Sequence, residues 1–465
     1  MPTRLTIIGA GPGGYVAAIR AAQLGAQVVV VEGNEVGGTC LNWGCIPTKT
    51  FIASTEMLER MRTAYEFGIE LSGEINYNLN KIRERKDKVV ATQIKGIRAL
   101  FKSRGITLVS GKGSLLAKDA VRCVHKDGTT QDIRSDRIII ATGSRPSRIA
   151  GFPFDGTTVM TSDDAIQLKS IPKRLLIVGA GVIGCEFAFI YRSFGSAVTL
   201  TEVMPRVLAA EDEDISAIIE REMKKSKISL ITSASVRTLS KAADGSMVAV
   251  LSNGQEIKAD AVLVSIGRSL NTEDLRLAEA GLAVGSRGEV RVNEKMETNV
   301  QGIYAVGDVT GKMMLAHVAS HQGITAAENA LGGDVHMDYS AVPSGIFTRP
   351  EIGSAGLREH QAREQGIKIS VGKFPYRSLG KAHAAGEITG LFKIIADQTT
   401  ERVLGVHICG ARASDLVHEG SLAIRMGMTA RQLGKMVHAH PTFSEGFGEA
   451  ADDVFGRAIH VPGDR

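Results

Sequence analysis

The sequence contains two copies of one segment, and this repeat restricts the folds that the chain can adopt. Residues 5–32 and 175–202 each run from a short apolar strand through a glycine-rich turn and a helix into a second apolar strand that ends in an acid. A strand, a turn and a helix followed by another strand form a βαβ unit, so the repeat predicts an α/β fold. The paired positions, at the same spacing in both copies, are Gly9, Gly11, Gly14 and Glu32 in the first and Gly179, Gly181, Gly184 and Glu202 in the second.

The residue types at these positions suit a dinucleotide. The first glycine makes the tight turn, the second lets the backbone approach a pyrophosphate, and the third lets the helix pack on the strand. The helix N-terminus favours the negative charge, and the closing carboxylate accepts hydrogen bonds from the ribose. A lone glycine turn would be a weak signal, but here strand, helix and acid are all in place twice. The sequence therefore predicts two Rossmann-like dinucleotide-binding domains.

Two dinucleotide sites in one chain indicate relay chemistry. A flavin held by one domain can exchange a hydride with a nicotinamide held by the other. Glu202 favours NAD, because a carboxylate at this position would repel the additional phosphate of NADP. Arg206 lies close by in the sequence and leaves NADP open as an alternative.

Composition excludes several classes of protein. The 465 residues suffice for three or four domains, and 43% hydrophobic with 23% charged residues is not the composition of a disordered or fibrous chain. A net charge of +5 gives no indication of a nucleic-acid partner. No apolar run approaches the roughly 20 residues of a membrane span, and the first strand pattern starts so early that we expect no signal peptide. We therefore expect a cytoplasmic enzyme without a membrane partner.

Two cysteines lie close together in the segment GGTCLNWGCIPTKT. In a regular helix Cys40 and Cys45 would point away from each other, so their sulfur atoms meet only where the backbone is irregular. Gly44 and Pro47 supply that irregularity and favour a helix N-terminus at Cys45, where the dipole stabilises a thiolate. These features indicate a redox-active dithiol. The main alternative is a zinc site, but zinc needs four ligands, and we predict no metal. The remaining cysteines, expected to be buried small hydrophobic residues, are Cys123, Cys185 and Cys409.

Residues 81–104 predict a long amphipathic helix with nine basic and two acidic side chains. We expect the charged side to be a solvated face, with a docking surface for an acidic partner domain as the alternative. Nucleic acid is the least favoured use, because no aromatic side chains interleave with the charges. The expected apolar stripe consists of Ile82, Val89, Val90, Ile94, Ile97, Leu100 and Phe101.

Residues 138–144 and 303–309 predict buried strands that deliver backbone or, in the second, the Asp308 carboxylate to a ligand. From Tyr339 onward, short alternating runs such as KISVGKF and GLFKIIAD predict antiparallel strands followed by helices. This part of the chain is therefore expected to be a separate α+β unit.

A histidine near the C-terminus has the surroundings of a catalytic base. His440 precedes a proline, which disfavours helix and fixes a turn. Glu445, five residues further on, can accept the imidazole N–H and so orient the ring. We interpret the neighbouring His438 as structural.

Several motifs together resemble one family, the flavin-dependent pyridine nucleotide–disulfide oxidoreductases. They are GGTCLNWGCIPTK, GAGVIGCE, ETNVQGIYAVGD, MLAH and HAHPTFSE, and the resemblance covers essentially the whole chain. It implies an obligate homodimer that uses FAD and NAD. Its fold would be α/β, with two Rossmann-like domains and a C-terminal α+β dimerisation domain. The implied domains are an FAD domain at 1–145, an NAD domain at 146–268, a central domain completing the FAD site at 269–338 and a dimer-interface domain at 339–465.

The resemblance also implies roles for the reactive residues. Cys45 would be the thiolate nearest the flavin, and Cys40 the thiol that exchanges with the substrate. Lys49 matches the family's lysine beside the flavin ring, with Glu186 as its ion-pair partner. A further pair, which would serve as catalytic base toward the cysteines of the other subunit, is His440 and Glu445.

The same resemblance implies the cofactor contacts. Asp308 matches the aspartate on the flavin ribityl chain. The other residues expected to line FAD are Gly113, Thr142, Gly143, Ser144, Met314, Leu315, Ala316 and His317. Those expected near the nicotinamide nucleotide are Val236 and Gly267.

Two details favour the lipoamide branch of the family. Val182 stands where glutathione reductases typically have a tyrosine, and the paired histidines of HAHPT are typical of the lipoamide branch. This branch implies oxidation of protein-bound dihydrolipoyl groups by NAD⁺, with lipoyl domains of 2-oxoacid dehydrogenase complexes or the glycine cleavage system as partners. The chain departs from the family's sequence pattern at few positions. The segment GRSLNT lacks the proline usual there, and Phe443 and Gly446 differ from the usual residues around the expected base.

Two other functions stay open at this point. The first is an NAD(P)H-dependent reductase of another disulfide or of a metal ion; a mercuric reductase would carry a C-terminal cysteine pair, and the sequence ends AIHVPGDR. The second is a nucleotide-binding sensor that kept the fold and lost the chemistry, for which a broken cysteine pair or a missing base would be expected. Both the pair and the base are present.

Overall fold

The computed structural model describes residues 1–462. Its strands are β1 (Arg4–Ile8), β2 (Gln27–Glu32), β3 (Thr107–Ser110), β4 (Lys112–Ala117), β5 (Ala120–Val124), β6 (Thr130–Arg134), β7 (Arg137–Ile140), β8 (Ser144–Pro146), β9 (Val159–Met160), β10 (Arg174–Val178), β11 (Ala197–Thr201), β12 (Ser229–Ile231), β13 (Val236–Lys241), β14 (Met247–Leu251), β15 (Glu256–Ala259), β16 (Ala261–Val264), β17 (Arg268–Leu270), β18 (Ile303–Ala305), β19 (Ser344–Ile346), β20 (Ile352–Gly356), β21 (Ile369–Pro375), β22 (Leu391–Asp397) and β23 (Val403–Cys409).

The helices carry Cys40, Cys45, Lys49, Glu186 and Glu445 among the residues predicted to be functional. They are α1 (Pro12–Gln23), α2 (Gly38–Asn42), α3 (Cys45–Arg62), α4 (Leu79–Ser103), α5 (Ser162–Ala165), α6 (Val182–Ser193), α7 (Glu213–Lys225), α8 (Ala316–Ala330), α9 (Glu359–Glu364), α10 (Gly380–Ala385), α11 (Ala413–Arg425), α12 (Ala430–Gly434) and α13 (Glu445–Asp453).

The chain divides into two compact units. The first contains residues 1–148, 161–170 and 267–338, and the second contains residues 149–160, 171–266 and the chain from 339 onward. The finer division into four domains stays a prediction.

The first unit is built on a parallel sheet of strand order β18-β7-β1-β2-β3. Its central strands are continuous apolar runs because both of their faces are buried, and Ile7 and Ile139 are fully buried. Helices α1 and α8 pack so closely that a Cβ on Gly323 would lie 2.3 Å from the carbonyl oxygen of Gly13. The predicted strands within 138–144 and 303–309 are confirmed as β7 and β18, which are neighbours.

The predicted amphipathic helix is confirmed as α4. The side chain of Asn78 caps its N-terminus by accepting a hydrogen bond from the Lys81 amide at 3.1 Å. Of the predicted apolar stripe, Ile97 and Phe101 are buried and most of the others half-buried. The prediction that Leu100 belongs to this apolar stripe is wrong. Its side chain is 45% exposed, because the last turn of the helix rotates this position away from the core.

The second unit repeats the parallel architecture and adds an antiparallel sheet. Its parallel sheet has the order β12-β11-β10-β16-β9, and the antiparallel sheet has the order β19-β20-β23-β22-β21. The predicted antiparallel runs are confirmed as β21 and β22, which pair in register from Ile369 with Asp397 to Pro375 with Leu391. The α/β fold class with a C-terminal α+β part is thus confirmed.

Candidate active site

The two glycine turns have the same geometry in the two units. In the first, Gly9 has a φ of 104°, and a Cβ on it would lie 2.4 Å from the carbonyl oxygen of Ala141. A Cβ on Gly14 would lie 1.9 Å from the carbonyl oxygen of Gly9, so helix α1 can pack here only with glycine. Gly11 is different, since its Cβ would meet only the Cα of Gly38 at 3.8 Å.

The second turn reproduces each of these relationships. Gly179 has a φ of 102°, and a Cβ on it would lie 2.5 Å from the Ser265 carbonyl oxygen. A Cβ on Gly184 would again lie 1.9 Å from the carbonyl oxygen of the first glycine. A Cβ on Gly181 would meet no described atom within 4 Å. Protein packing therefore explains the outer two glycines, whereas the middle glycine of each turn leaves space beside a helix N-terminus that suits a pyrophosphate.

The closing acids are fixed by backbone amides. Glu32 accepts from the amide of Ala10 at 2.6 Å and from that of Asn34 at 2.7 Å. Glu202 accepts from the amides of Ala180 and Met204 at 2.6 and 2.9 Å. Burial raises the pKa of Glu32, and the two amides partly offset this effect. Each carboxylate lies where the resemblance places a ribose, so the residues present fit a dinucleotide in both units.

The alternative of NADP rested on Arg206. Its guanidinium donates to the carbonyl oxygen of Glu211 and to the hydroxyl of Ser216, each at 2.8 Å. An additional phosphate at the ribose would therefore have to compete with these bonds for the arginine. The geometry favours NAD.

Asp308 belongs to a hydrogen-bonded group within the first unit. Its carboxylate accepts from the Ser144 hydroxyl. Arg268 donates to the hydroxyl and the carbonyl oxygen of Ser144 at 2.7 and 2.8 Å, and its Nε lies 3.8 Å from the Asp308 carboxylate. Sequence reasoning missed Arg268, whose only local signal was its place directly after Gly267. Its hydrogen-bond partner Ser144 lies more than a hundred residues earlier in the chain, so the contact was not readable from sequence.

Asn271 is a second residue that the sequence did not reveal. Its side chain donates to the carbonyl oxygen of Thr142 at 2.9 Å, and its amide donates to that of Gly143 at 3.0 Å. Thr142 returns a hydrogen bond from its hydroxyl to the Asn271 carbonyl oxygen at 2.8 Å. Strands β8 and β17, which follow and precede these residues, are paired. The loop expected to line the flavin is thus held by the segment that follows Gly267.

The other predicted FAD residues have distinct surroundings. Gly113 lies on β4, where a Cβ would be 2.9 Å from Ile8 and 3.1 Å from Val31, so packing on the sheet already requires glycine there. The predicted stretch lies at the N-terminus of α8, in the unit that also contains Asp308. Its members are Met314, Leu315, Ala316 and His317. Their contact with FAD, like that of Gly113, stays a prediction.

The two close cysteines are joined by irregular backbone, as predicted. Cys40 lies on the short helix α2, and Cys45 is the first residue of α3 after Gly44, whose φ and ψ are −135° and −111°. Pro47 is the third residue of α3, inside the first turn, where its missing amide is tolerated. Both cysteines are in the thiol form.

The thiols of this pair are not equivalent. A hydrogen bond with Cys45 and burial raise the pKa of Cys40 far above its usual value, and the positive charge of Lys49 opposes this only in part. Cys40 therefore keeps its proton in the reduced pair. Cys45 lies at the N-terminus of α3, where the helix dipole favours a negative charge, and its role as the thiolate stays a prediction. Lys49 follows Cys45 by four residues on the same helix face. The three isolated cysteines are fully buried, as predicted.

The histidine and the glutamate near the C-terminus are hydrogen-bonded. Nδ1 of His440 lies 2.7 Å from Oε1 of Glu445, which begins α13, and Oε2 accepts from the Thr442 amide at 2.8 Å. Burial opposes ionisation of this carboxyl, but the bonds from His440 and Thr442 outweigh it and hold the pKa of Glu445 below its usual value. The imidazole is 75% exposed. The ring is thus oriented by Glu445 and exposed, and its role as a catalytic base stays a prediction.

The remaining predicted residues lie as follows. His438 is structural, as interpreted: its Nε2 bonds Glu419 at 2.8 Å, and its side chain is 9% exposed. Glu186 is buried on α6 and accepts from the Phe347 amide at 3.0 Å. Val236 begins β13, and Gly267 precedes β17 with a φ of 109°. Pairing of Glu186 with Lys49, and the two nicotinamide contacts, stay predictions.

Comparison with known families identifies the class of protein. Residues 3–323 match the model of the pyridine nucleotide-disulphide oxidoreductases, and residues 342–451 match the dimerisation domain of the same class. The chain belongs to the pyridine nucleotide-disulphide oxidoreductase family. Members of this family use FAD and NAD(H).

Three curated relatives with the same name are similar to this chain over almost its whole length. The chain is 43% identical to dihydrolipoyl dehydrogenase of Chlamydia muridarum, over 98% of this chain and 97% of the relative. It is 40% identical to dihydrolipoyl dehydrogenase of Bacillus subtilis, over 98% of both chains. It is also 40% identical to the mitochondrial dihydrolipoyl dehydrogenase of Bos taurus, over 98% of this chain and 91% of the relative.

Solved structures give the same architecture. LpdA of Mycobacterium tuberculosis superposes with a TM-score of 0.91 at 29% identity, over 97% of this chain and 99% of the other. The HOCl-induced flavoprotein disulfide reductase RclA of Escherichia coli superposes with a TM-score of 0.85 at 26% identity, with the same coverage. Within residues 1–462, no helix is both long enough and apolar enough to span a membrane.

Proposed function

We propose that this chain is a flavin-dependent dihydrolipoyl dehydrogenase, which oxidises protein-bound dihydrolipoyl groups with NAD⁺ through Cys40 and Cys45. The observation that carries the proposal is the hydrogen-bonded thiol pair of Cys40 on α2 and Cys45 at the start of α3, in the same unit as the first glycine turn. The names of the curated relatives, and the Glu202 carboxylate at the second turn, support the substrate and the nicotinamide.

The protein's own residues account for the exchange with substrate. His440, oriented by Glu445, takes the proton of one substrate thiol, and the resulting thiolate attacks the Cys40 sulfur of the oxidised pair. The Cys40–Cys45 bond breaks, and Cys45 leaves as a thiolate, which its position at a helix N-terminus favours. The second substrate thiol then attacks the substrate sulfur of the mixed disulfide, which closes lipoamide, and its proton passes to the departing Cys40 sulfur. Two electrons have passed from the substrate dithiol to the cysteine pair.

The expected cofactors would be held by the two glycine turns. FAD would lie at Gly11 and Glu32 with Asp308 and Lys49 beside it, and NAD would lie at Gly181 and Glu202. The cysteine pair would pass its two electrons to NAD⁺ through the hydride chemistry that a bound flavin supplies. In keeping with the resemblance, we propose that His440 serves the cysteines of a second copy in a homodimer. We further propose lipoyl domains of 2-oxoacid dehydrogenase complexes or the glycine cleavage system as partners, in the cytoplasm.

One substrate comparison tests the proposal. The purified holoenzyme is assayed with dihydrolipoamide and NAD⁺, with dihydrolipoamide and NADP⁺, and with NAD(P)H plus glutathione disulfide or mercuric ion. We expect rapid turnover in the first assay and far slower turnover in the others. Preferred reduction of glutathione disulfide or mercuric ion would assign the chain to another reductase of this family. Purified protein that releases no flavin on denaturation would overturn the proposal altogether.

A further inference from the structure

Four lysines form a straight row along α4. Lys81, Lys88, Lys95 and Lys102 follow one another at intervals of seven residues, which is close to two helical turns, so the four side chains leave the same face of the helix. At 1.5 Å per residue the row is about 32 Å long, roughly the diameter of a small domain. We call this row the lysine ladder.

The ladder lies on the outer side of the helix. The buried side of α4 is marked by Lys86, Ile97 and Phe101, which are half a turn away from the ladder. All four ladder lysines are exposed, and none of them has an ion-pair partner within residues 1–462. Other cations of the same helix are paired: Arg98 lies 2.6 Å from Glu35 and Lys86 lies 2.5 Å from Asp87.

The charge of this helix dominates that of the chain. Nine basic and two acidic side chains give residues 81–104 a formal charge of +7, whereas the whole chain carries +5. Local folding does not require this, since glutamate and glutamine form helices as readily as lysine and would avoid the mutual repulsion. The ladder is thus a concentrated positive field on a chain that is otherwise close to neutral.

The ladder is close to the cysteine pair through the packing of α4. The inner face of α4 shares a core with Leu41 of α2 and Ile46 of α3, to which it contributes Ile94 and Ile97. The guanidinium of Arg85 also reaches the carbonyl oxygen of Thr50 on α3 at 3.4 Å. A partner that docks on the ladder therefore rests on the helix that supports Cys40 and Cys45.

We infer that the lysine ladder is the docking face for a carboxylate-rich lipoyl domain. This inference rests on the proposed function, which requires a protein-bound substrate. Charge complementarity favours an acidic protein. Glu84 is an exposed acid on the same face, between Lys81 and Lys88, and it leaves the net charge of the face positive. Ala91, Thr92 and Ala99 are also exposed there, so the face offers no aromatic platform for nucleic-acid bases and no bulky apolar side chains for a lipid surface.

A pair of charge-reversed variants tests the docking face. Lys88→Glu with Lys95→Glu is compared with Lys118→Glu with Lys126→Glu, which makes the same change of charge at exposed positions elsewhere in the same unit. The probes are a reduced lipoyl domain of net negative charge, from a 2-oxoacid dehydrogenase, and free dihydrolipoamide. Binding of the domain is measured by calorimetry, and turnover of both probes is measured at low and at physiological salt.

The ladder variant should weaken binding of the lipoyl domain and raise its KM by about tenfold or more at low salt, and it should flatten the salt dependence. Free dihydrolipoamide should be turned over as by the unmodified enzyme, and the control variant should change little. Equal losses in the ladder and control variants, or no loss in either, would overturn the docking face while leaving the proposed function intact. Absent turnover of free dihydrolipoamide by the unmodified enzyme would instead overturn the proposed function, and the lipoyl partner with it.

Discussion

The ammonium nitrogen of Lys393 lies 2.7 Å from Oδ1 of Asp212, and both side chains are 1% exposed. Lys393 also contacts the carboxylates of Asp214 at 2.6 Å and Glu359 at 2.7 Å. It thereby joins β22 of the antiparallel sheet to the N-terminus of α7 and to α9. Burial opposes the charge of the lysine, but the three hydrogen-bonded carboxylates outweigh it and raise the pKa of Lys393 to about 12. Burial likewise opposes ionisation of Asp212, and the bond from Lys393 holds its pKa below the usual value.

We expect Lys393→Met to lower the free energy of unfolding by about 3 kcal/mol at neutral pH, because three carboxylates lose their counter-charge. Folding lowers the pKa values of the three carboxyl groups. The stabilisation by the intact cluster is therefore present above the carboxyl pKa of the unfolded chain, and it is lost as the pH falls through the carboxyl pKa of the folded protein. The lysine has a raised pKa, so its part is lost as the pH rises toward about 12. Thermal unfolding between about pH 2 and pH 7 checks the acid side, and the deficit of the variant should narrow as the pH falls below about 4, where the carboxyl groups are protonated.

The control for this variant is Lys373→Met. Lys373 also contacts Asp214, at 2.9 Å, but it is 46% exposed. Its removal should cost less than about 1 kcal/mol. Equal losses for the two variants would contradict the role given to burial.

The proposed base predicts a selective loss of activity. His440→Gln should reduce turnover of dihydrolipoamide by about 10²- to 10⁴-fold, because the substrate thiol then lacks a proton acceptor. Glu445→Gln should give a smaller loss, since the glutamine amide can still contact the imidazole but no longer stabilises its charge. Steady-state kinetics with dihydrolipoamide and NAD⁺ measure both effects.

A matched histidine serves as control for the base. Nδ1 of His460 bonds Oε1 of Glu449 at 2.7 Å, the same distance as in the proposed base, and its side chain is 68% exposed. His460→Gln should leave turnover unchanged. A loss comparable with that of His440→Gln would show that the assay reports general damage to this part of the chain.

The cysteine pair gives the third prediction. Cys40→Ser and Cys45→Ser should each abolish dihydrolipoamide turnover, because serine forms no disulfide, while the thermal midpoint changes little at these partly exposed positions. Cys123→Ala removes a buried thiol of the same unit and should retain turnover. Turnover that persists in Cys45→Ser would refute the redox role of the pair.

The two kinds of glycine in each turn should respond differently to alanine. Gly184→Ala should destabilise the second unit by 1–3 kcal/mol, because the added Cβ would overlap the Gly179 carbonyl oxygen. Gly181→Ala should keep the thermal midpoint and raise the KM for NAD⁺, because its Cβ meets no described atom and would occupy only the space of the ligand. Thermal unfolding and NAD⁺ kinetics of the two variants separate these outcomes. An unchanged KM for NAD⁺ in Gly181→Ala would contradict binding of the pyrophosphate at this turn.

Local patterns in the sequence were sufficient for much of this description. The paired glycine turns, the helix start at Cys45 and the bond between His440 and Glu445 each depend on residues close together in the chain, so spacing alone predicted them. Arg268 and Asn271 were missed because they bind Ser144 and Thr142 across more than a hundred residues, and no periodic pattern marks such a contact. Lys393 escaped notice for the same reason: a lysine within an apolar strand shows its partners only after folding.

The amides that hold Glu32 and Glu202 have a kinetic consequence. Each acid is already immobilised against its own loop by two backbone N–H groups. The conformational freedom of these loops is thus given up while the chain folds, and an arriving nucleotide has little left to order. We therefore expect a nucleotide to bind at either turn without rearrangement of the loop. Its association rate should be set by diffusion and by the charge of the ligand.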